Sequence, residues 1–204
     1  MKPKTILYIA ISEDGFIAGE DNNLDFLNPY QGGEEDYGYS NLINSVGCIL
    51  VGRKTYDVVV NMGYPYHPEK MVYVVTRQSR TSSSEKLLFF DGNLRKLIND
   101  IKSSQNQNIY CDGGAELAQS LIAEDLIDEM ILSVVPIQLH HGTLLFQGGM
   151  VPKQFSLRSK QTYPNGLVQF SYVCKRGFFS KYKVEVVVGL LVFLVFLLKS
   201  FWTD

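Results

Sequence analysis

Residues 108–146 restrict the folds open to this chain more than any other stretch. They read NIYCDGGAELAQSLIAEDLIDEMILSVVPIQLHHGTLLF. Ile109, Tyr110 and Cys111 form a short apolar run of the kind that makes a buried strand. Gly113 and Gly114 follow, and then Leu117, Leu121 and Ile122 recur at helical spacing. The order is strand, Gly-Gly turn, helix. Glycines in such a turn let the backbone approach a ligand closely. The unpaired N–H groups that open the helix attract anions such as phosphate. Asp128 and Glu129 then lead into a second apolar run, 130–135, closed by Pro136. Taken alone, the Gly-Gly pair reads equally well as a plain tight turn. The full G-x-G-x-x-G fingerprint, with its acidic residue about twenty positions on, is missing.

The rest of the chain repeats this alternation. Residues 5–12 are almost continuously apolar, as in a strand buried on both faces. Glu13-Asp14-Gly15 turns the chain, and Phe16-Ile17-Ala18 is apolar again. The polar loop 19–33 carries Leu24, Phe26, Leu27 and Pro29, more apolar surface than an exposed loop keeps uncovered. Glu34-Glu35-Asp36 predicts an acidic helix start, with Tyr39, Leu42, Ile43 and Val46 on one face. A strand at 48–51 runs into Gly52-Arg53-Lys54-Thr55, a glycine, two cations and a hydroxyl suited to phosphate, or else to a solvated helix start. A strand at 71–75 ends in Thr76-Arg77. A Ser-rich loop, 80–86, precedes a strand at 87–90 and a helix marked by Leu94, Leu97, Ile98 and Ile101. Runs 155–162 and 167–174 flank Tyr163-Pro164-Asn165-Gly166, predicting an antiparallel hairpin. The class is therefore α/β, with a mainly parallel sheet between helices and the hairpin at one edge. In such sheets ligands bind beyond the carboxyl ends of strands. Gly52–Thr55, Thr76-Arg77 and Gly113-Gly114 all fall there.

A net charge of −2 excludes a basic nucleic-acid footprint. Cys48, Cys111 and Cys174 each lie in an apolar run without a C-x-x-C pair, which predicts buried thiols in a reduced, cytoplasmic protein rather than a disulfide scaffold or metal site. His140 and His141 are adjacent, but no third ligand is visible, so no metal is expected.

ISEDGFIA (11–18), VGRKTYD (51–57), VVTR (74–77), YCDGGAEL (110–117), LIDEMILSVVP (126–136) and GTLLF (142–146), in this order, resemble the dihydrofolate reductase superfamily. The resemblance is closest to the branch that holds the reductase domain of bacterial riboflavin biosynthesis, and it covers residues 4–176. It implies a dihydrofolate reductase-like fold and NADPH as cofactor. It places Ala10 and Ile17 along the nicotinamide. Gly52, Arg53, Lys54 and Thr55 match one phosphate loop; Gly113, Gly114, Ala115 and Leu117 match the other. Thr76 and Arg77 match residues near the adenosine ribose and its 2′-phosphate. Asp36 matches the pterin-binding carboxylate by its spacing before Gly52, where it would assist protonation near the hydride acceptor; a helix-terminal charge is the alternative. Ser133 matches a hydroxyl behind that carboxylate, and Phe26 a position often held by tryptophan. The expected activity is hydride transfer to a C=N or C=O of a small pterin-like or 5-amino-6-ribosylaminouracil phosphate-like substrate. The branch often has a glycine pair after the proline strand, whereas Leu139-His140-His141-Gly142 has one. With no H-x-E and C-x-x-C pair in the sequence, the deaminase domain that accompanies many such reductases is not expected here.

The predicted reductase domain is 1–177 and the tail 178–204. The uncharged apolar core of the tail, 186–198, would span roughly 20 Å as a helix. Extended to Val184 and Trp202 it approaches the length that crosses a bilayer. Lys175, Arg176, Lys181 and Lys183 precede it and only Lys199 follows, so the domain would sit at the inner face of the membrane. The other readings of the tail are a helix docked on a partner subunit, including the second copy of a homodimer, and a frameshifted extension. A membrane-tethered NADPH-binding module without turnover is the alternative to an enzyme.

Overall fold

The computed structural model describes residues 2–63, 65–82 and 84–175. Its elements are β1 (Thr5–Ser12), β2 (Phe16–Ala18), 3-10 turns at Glu20–Asn22 and Asp25–Tyr30, α1 (Tyr39–Ser45), β3 (Val46–Gly52), α2 (Arg53–Asn61), β4 (Met71–Val75), β5 (Leu87–Phe90), α3 (Leu94–Ser104), β6 (Asn108–Gly113), α4 (Ala115–Ala123), β7 (Glu129–Val135), β8 (Thr143–Leu144), β9 (Phe155–Thr162) and β10 (Val168–Cys174). Eight strands form one sheet in the order β5-β4-β3-β6-β1-β7-β10-β9. Every neighbouring pair from β5 to β7 is parallel. β10 runs antiparallel to β7 and to β9, as the Pro-Asn-Gly turn predicts. The fold is thus the dihydrofolate reductase-like α/β class expected.

Side chains two apart on a strand share a face, so the central strands feed two cores. Leu7, Cys48, Leu50, Ile109 and Cys111 pack against Leu97, Ile98 and Ile101 of α3 and Leu117, Leu121 and Ile122 of α4. Ile6, Ile49, Val51 and Tyr110 pack with Leu42 of α1 and with Tyr56 and Val59 of α2 on the opposite face. Burying each large aliphatic side chain contributes roughly 1.5–3 kcal/mol, which is why both faces need helices. Cys48 and Cys111 are free and buried, and burial pushes their thiols up to about 11 and about 12, leaving them protonated.

The apolar residues of the 19–33 loop do cover something. Phe26 is buried with Val135, Tyr163 and Leu167, and Leu24, Leu27 and Tyr30 close over them. The acidic helix start is corrected. α1 begins at Tyr39, because Gly38 adopts φ 83° and interrupts any helix running in from Glu34. Asp36 lies outside that helix. A small second sheet pairs β2 with β8, and no local pattern had marked β8 as a strand. Gly142 is required there: a Cβ would stand 2.1 Å from the Ala18 carbonyl oxygen.

Residues through Cys174 pack as one unit. Among the described residues no helix is long and apolar enough to cross a membrane. The apolar segment 184–202 lies outside the described residues.

Candidate functional site

The parallel strands β3, β4 and β6 end side by side, and their carboxyl ends open on a cleft of about 670 Å³. That volume lies within the range of small-ligand sites, roughly 300–1,000 Å³. Ala10, Ile17, Gly52, Arg53, Lys54, Thr55, Thr76, Arg77, Gly114, Ala115 and Leu117 all line it. Gly113 does not; it ends β6 just behind the wall, at φ 97° and beside Ile9. The sheet therefore gathers residues that are up to 107 positions apart (117 − 10) into one site.

The two glycine-bearing turns lean on each other. Gly114 N donates to Thr55 Oγ1 at 3.0 Å, and a Cβ on Gly114 would stand 2.8 Å from that oxygen. A Cβ on Gly52 would meet the Gly113 carbonyl at 3.4 Å. Contact between the turns accounts for Gly114, whereas Gly52 could hold a side chain at ordinary contact distance. A better sign of a ligand lies in the helices that follow. Neither α2 nor α4 has a side-chain cap, whereas Asn93 Oδ1 accepts from Lys96 N at 2.8 Å at the start of α3. The opening amides of α2 and α4 meet at the cleft and suit anionic groups.

Cations surround this end, each with a carboxylate. Glu116 accepts from Lys54 Nζ at 3.0 Å and from Arg77 at 3.1 Å. The Lys54 ammonium bonded to it, with the Arg77 and Arg53 guanidiniums adding smaller effects, holds the Glu116 carboxyl below its usual range. Asp57 pairs with Arg53 at 2.6 Å and Arg80 at 3.2 Å. Arg77 is 89% exposed and Glu116 63%, so these pairs are open to exchange. A ligand bearing several phosphates fits this donor set: guanidinium, ammonium and helix-opening amides converge on one rim.

The opposite end is buried and aromatic. Asp112, on β6, lines the cleft. Its Oδ2 accepts from the Tyr66 hydroxyl and its Oδ1 from the Tyr110 hydroxyl. Burial pushes this carboxyl up to about 7, while the two phenol bonds favour the anion and work against that rise. Tyr8 on β1 lines the same wall. Burial raises its phenol, opposed by bonds from Ser133 and Gln169.

The substrate-side residues fall elsewhere. Asp36 lines neither this cleft nor the second concavity of about 590 Å³ bordered by Tyr30, Tyr37 and Tyr163. Its carboxylate accepts from Gly38 N at 2.8 Å and Ser40 N at 3.0 Å. The Ser40 hydroxyl and these amides hold it below the usual carboxylate range. Ser133 is buried and accepts from Gln169 Nε2 at 3.1 Å, and so reaches the cleft only through Tyr8. Phe26 is core. Sequence reasoning missed Tyr8, Asp112 and Glu116. For Asp112 the available signal was a carboxylate at the end of an apolar strand. Among the described residues no group of His, Cys, Asp and Glu gathers to hold a metal.

The RibD C-terminal domain family matches residues 3–169. The uncharacterized protein YwjB of Bacillus subtilis is 38% identical over 176 residues, covering 85% of this chain and 99% of that one. A putative riboflavin biosynthesis protein from Shewanella sp. PV-4 superposes with a TM-score of 0.75 at 29% identity, over 85% of this chain and 99% of its own. A dihydrofolate reductase from Enterococcus faecalis, complexed with NADP(H), shares the fold at a TM-score of 0.62 and 14% identity, over 85% and 98% of the two chains.

Proposed function

Because the chain belongs to the RibD C-terminal domain family, we propose that it is a reductase that takes hydride from NADPH and delivers it to a C=N or C=O bond of a small heterocyclic or sugar-like molecule. One observation carries this reading: a single cleft joins a cationic, amide-rich rim to a half-buried carboxyl held by two phenols. The bound cofactor supplies the hydride. Arg53, Lys54, Arg77, Thr55 and the opening amides of α2 and α4 hold its phosphates, and Thr76 shapes the turn beside Arg77. Ala10, Ile17 and Leu117 form the apolar wall that excludes water. Asp112 holds a proton near neutral pH and gives it to the nitrogen or oxygen beside the reduced carbon. Asp36, suggested for that role by resemblance, anchors the start of α1 instead, and Ser133 acts through Tyr8. The substrate classes favoured are pterin-like and 5-amino-6-ribosylaminouracil phosphate-like compounds.

The test follows NADPH absorbance in the presence of a panel of pterins and ribosylaminopyrimidines. Consumption with at least one of them, and slower consumption of NADH, is expected. NADPH binding without consumption across the panel makes the chain a binding module without turnover. Absence of NADPH binding ends the proposal.

We further propose that the reductase domain is complete by residue 177 and that segment 184–202 attaches it to the inner face of a membrane. The support is that β10 is the last strand in chain order among the described residues and that the segment is too apolar to remain in water. A chain stopped at Gly177 should stay soluble and bind NADPH, while the full chain should sediment with membranes. A full chain that remains soluble and monomeric removes the anchor.

A further inference from the structure

The two phenols on Asp112 are not equivalent. The Tyr66 hydroxyl, delivered from the segment after α2, has Asp112 Oδ2 as its acceptor. The Tyr110 hydroxyl has two acceptors in reach: Asp112 Oδ1, and the Tyr8 carbonyl oxygen on β1 at 3.4 Å. It carries one proton and can serve only one of them at a time.

We propose that Tyr110 is a two-way hydroxyl that fixes the proton of Asp112 on Oδ1, and that Tyr66 keeps Oδ2 an acceptor in both protonation states. In the ionised state both phenols donate to the carboxylate. When a hydronium ion of the solvent gives its proton to Oδ1, its O–H bond breaks, water is left, and the new Oδ1–H donates to Tyr110 Oη. The Tyr110 hydroxyl then rotates to the Tyr8 carbonyl, and no other covalent bond forms or breaks. Both states keep the carboxyl hydrogen-bonded, so neither leaves a half-buried polar atom unpaired.

The surrounding groups leave this pair in control. Tyr39 on α1 approaches the Tyr110 ring at 6.3 Å, and its hydroxyl is engaged with His67 Nε2 at 3.1 Å. His67 faces Glu69 at 3.5 Å on its other nitrogen. Tyr8 presents its carbonyl, with its own hydroxyl turned to the Tyr37 carbonyl at 3.3 Å. Cys111 points to the opposite face of the sheet. Tyr66 and Tyr110 are thus positioning residues. Their bearing on catalysis rests on the reductase reading, but the proton arrangement does not.

The test is a carbon-13 NMR titration of the full chain in detergent, with Asp carboxyl and Tyr ring carbons labelled, without cofactor or substrate. Asp112 is assigned by loss of its signal in Asp112→Asn. The wild-type midpoint should lie near neutral pH, and the Tyr110 Cζ resonance should move at the same midpoint. Tyr66→Phe removes a donor that the anion needs more than the acid does, so the midpoint should rise by about one pH unit. Tyr110→Phe removes a donor from the anion and the proton acceptor from the acid, so its shift should be less than half as large. Equal shifts in the two variants would make the clamp symmetric and overturn the proposal. A Tyr110 resonance that stays fixed through the wild-type titration overturns it too, without any variant, as does an Asp112 midpoint in the ordinary carboxylate range. NADPH consumption, measured separately, decides the reductase reading independently of these outcomes.

Discussion

The two ends of the cleft use charge in opposite ways. At and beside the rim, Lys54 and Arg77 share Glu116 in water-exposed pairs, and Arg53 and Arg80 share the half-buried Asp57. Each such pair contributes about 0–1 kcal/mol and is screened by salt, so the rim works by number and can trade partners for a ligand. At the floor, one half-buried carboxyl on β6 is answered by two phenols. In the reading proposed above, the exposed cluster would recognise the charge of a ligand, whereas the half-buried carboxyl would set the protonation state.

The largest break in this contrast comes from the floor. Asp112→Asn should lower turnover by roughly 10²-fold or more while the NADPH dissociation constant stays within about twofold of wild type. Steady-state rates and equilibrium binding separate the two effects. The same variant has a stability signature whose sign can be worked out. The folded-state value of Asp112 is raised to about 7, so between the unfolded carboxylate value and 7 the native state holds a proton that the unfolded chain has lost. Stability therefore falls as pH rises through that window, and below it the penalty is absent. Asp112→Asn removes this slope. Its melting temperature relative to wild type should be higher at pH 8 than at pH 5, and a constant difference across that range would place Asp112 in water.

At the rim, Arg77→Ala should weaken NADPH binding by about 1.5–3 kcal/mol and leave NADH binding nearly unchanged. Titration calorimetry with both dinucleotides reads this directly. Equal losses for the two would remove the 2′-phosphate from that corner. Raised salt should weaken NADPH binding and leave the Asp112 midpoint in place, because screening acts on exposed charge.

A smaller effect is expected at Glu116. Its carboxylate occupies the cations that a phosphate needs, so Glu116→Gln should strengthen NADPH binding a few-fold with little effect on NADH. Weaker binding would mean that Glu116 orders Lys54 and Arg77 more than it competes for them.

Asp36→Ala should have the least effect on chemistry. Its bonds run to Gly38 and Ser40 amides, so the melting temperature should drop slightly and turnover should hold. Loss of turnover with NADPH binding intact would return the catalytic carboxyl to Asp36.

The rim was legible in the sequence because it is local. Gly52-Arg53-Lys54-Thr55 and Gly113-Gly114 lie within a few residues of strand ends that hydrophobic period alone locates. The chain's alternation of buried runs and helical faces likewise determined a parallel sheet with a terminal hairpin, since strand and helix periods are set by backbone geometry. What the sequence could not fix is which distant residues meet. Tyr66 reaches Asp112 across 46 positions because β6 pairs with β3, with the segment after α2 returning over their shared face. Asp36 matched a family carboxylate by its spacing, yet the chain turns at Gly38 and its carboxylate bonds the Gly38 and Ser40 amides away from the cleft. Pairing order and turn handedness depend on the whole chain closing at once. Only the tertiary structure therefore places Asp112, and not Asp36, in the cleft.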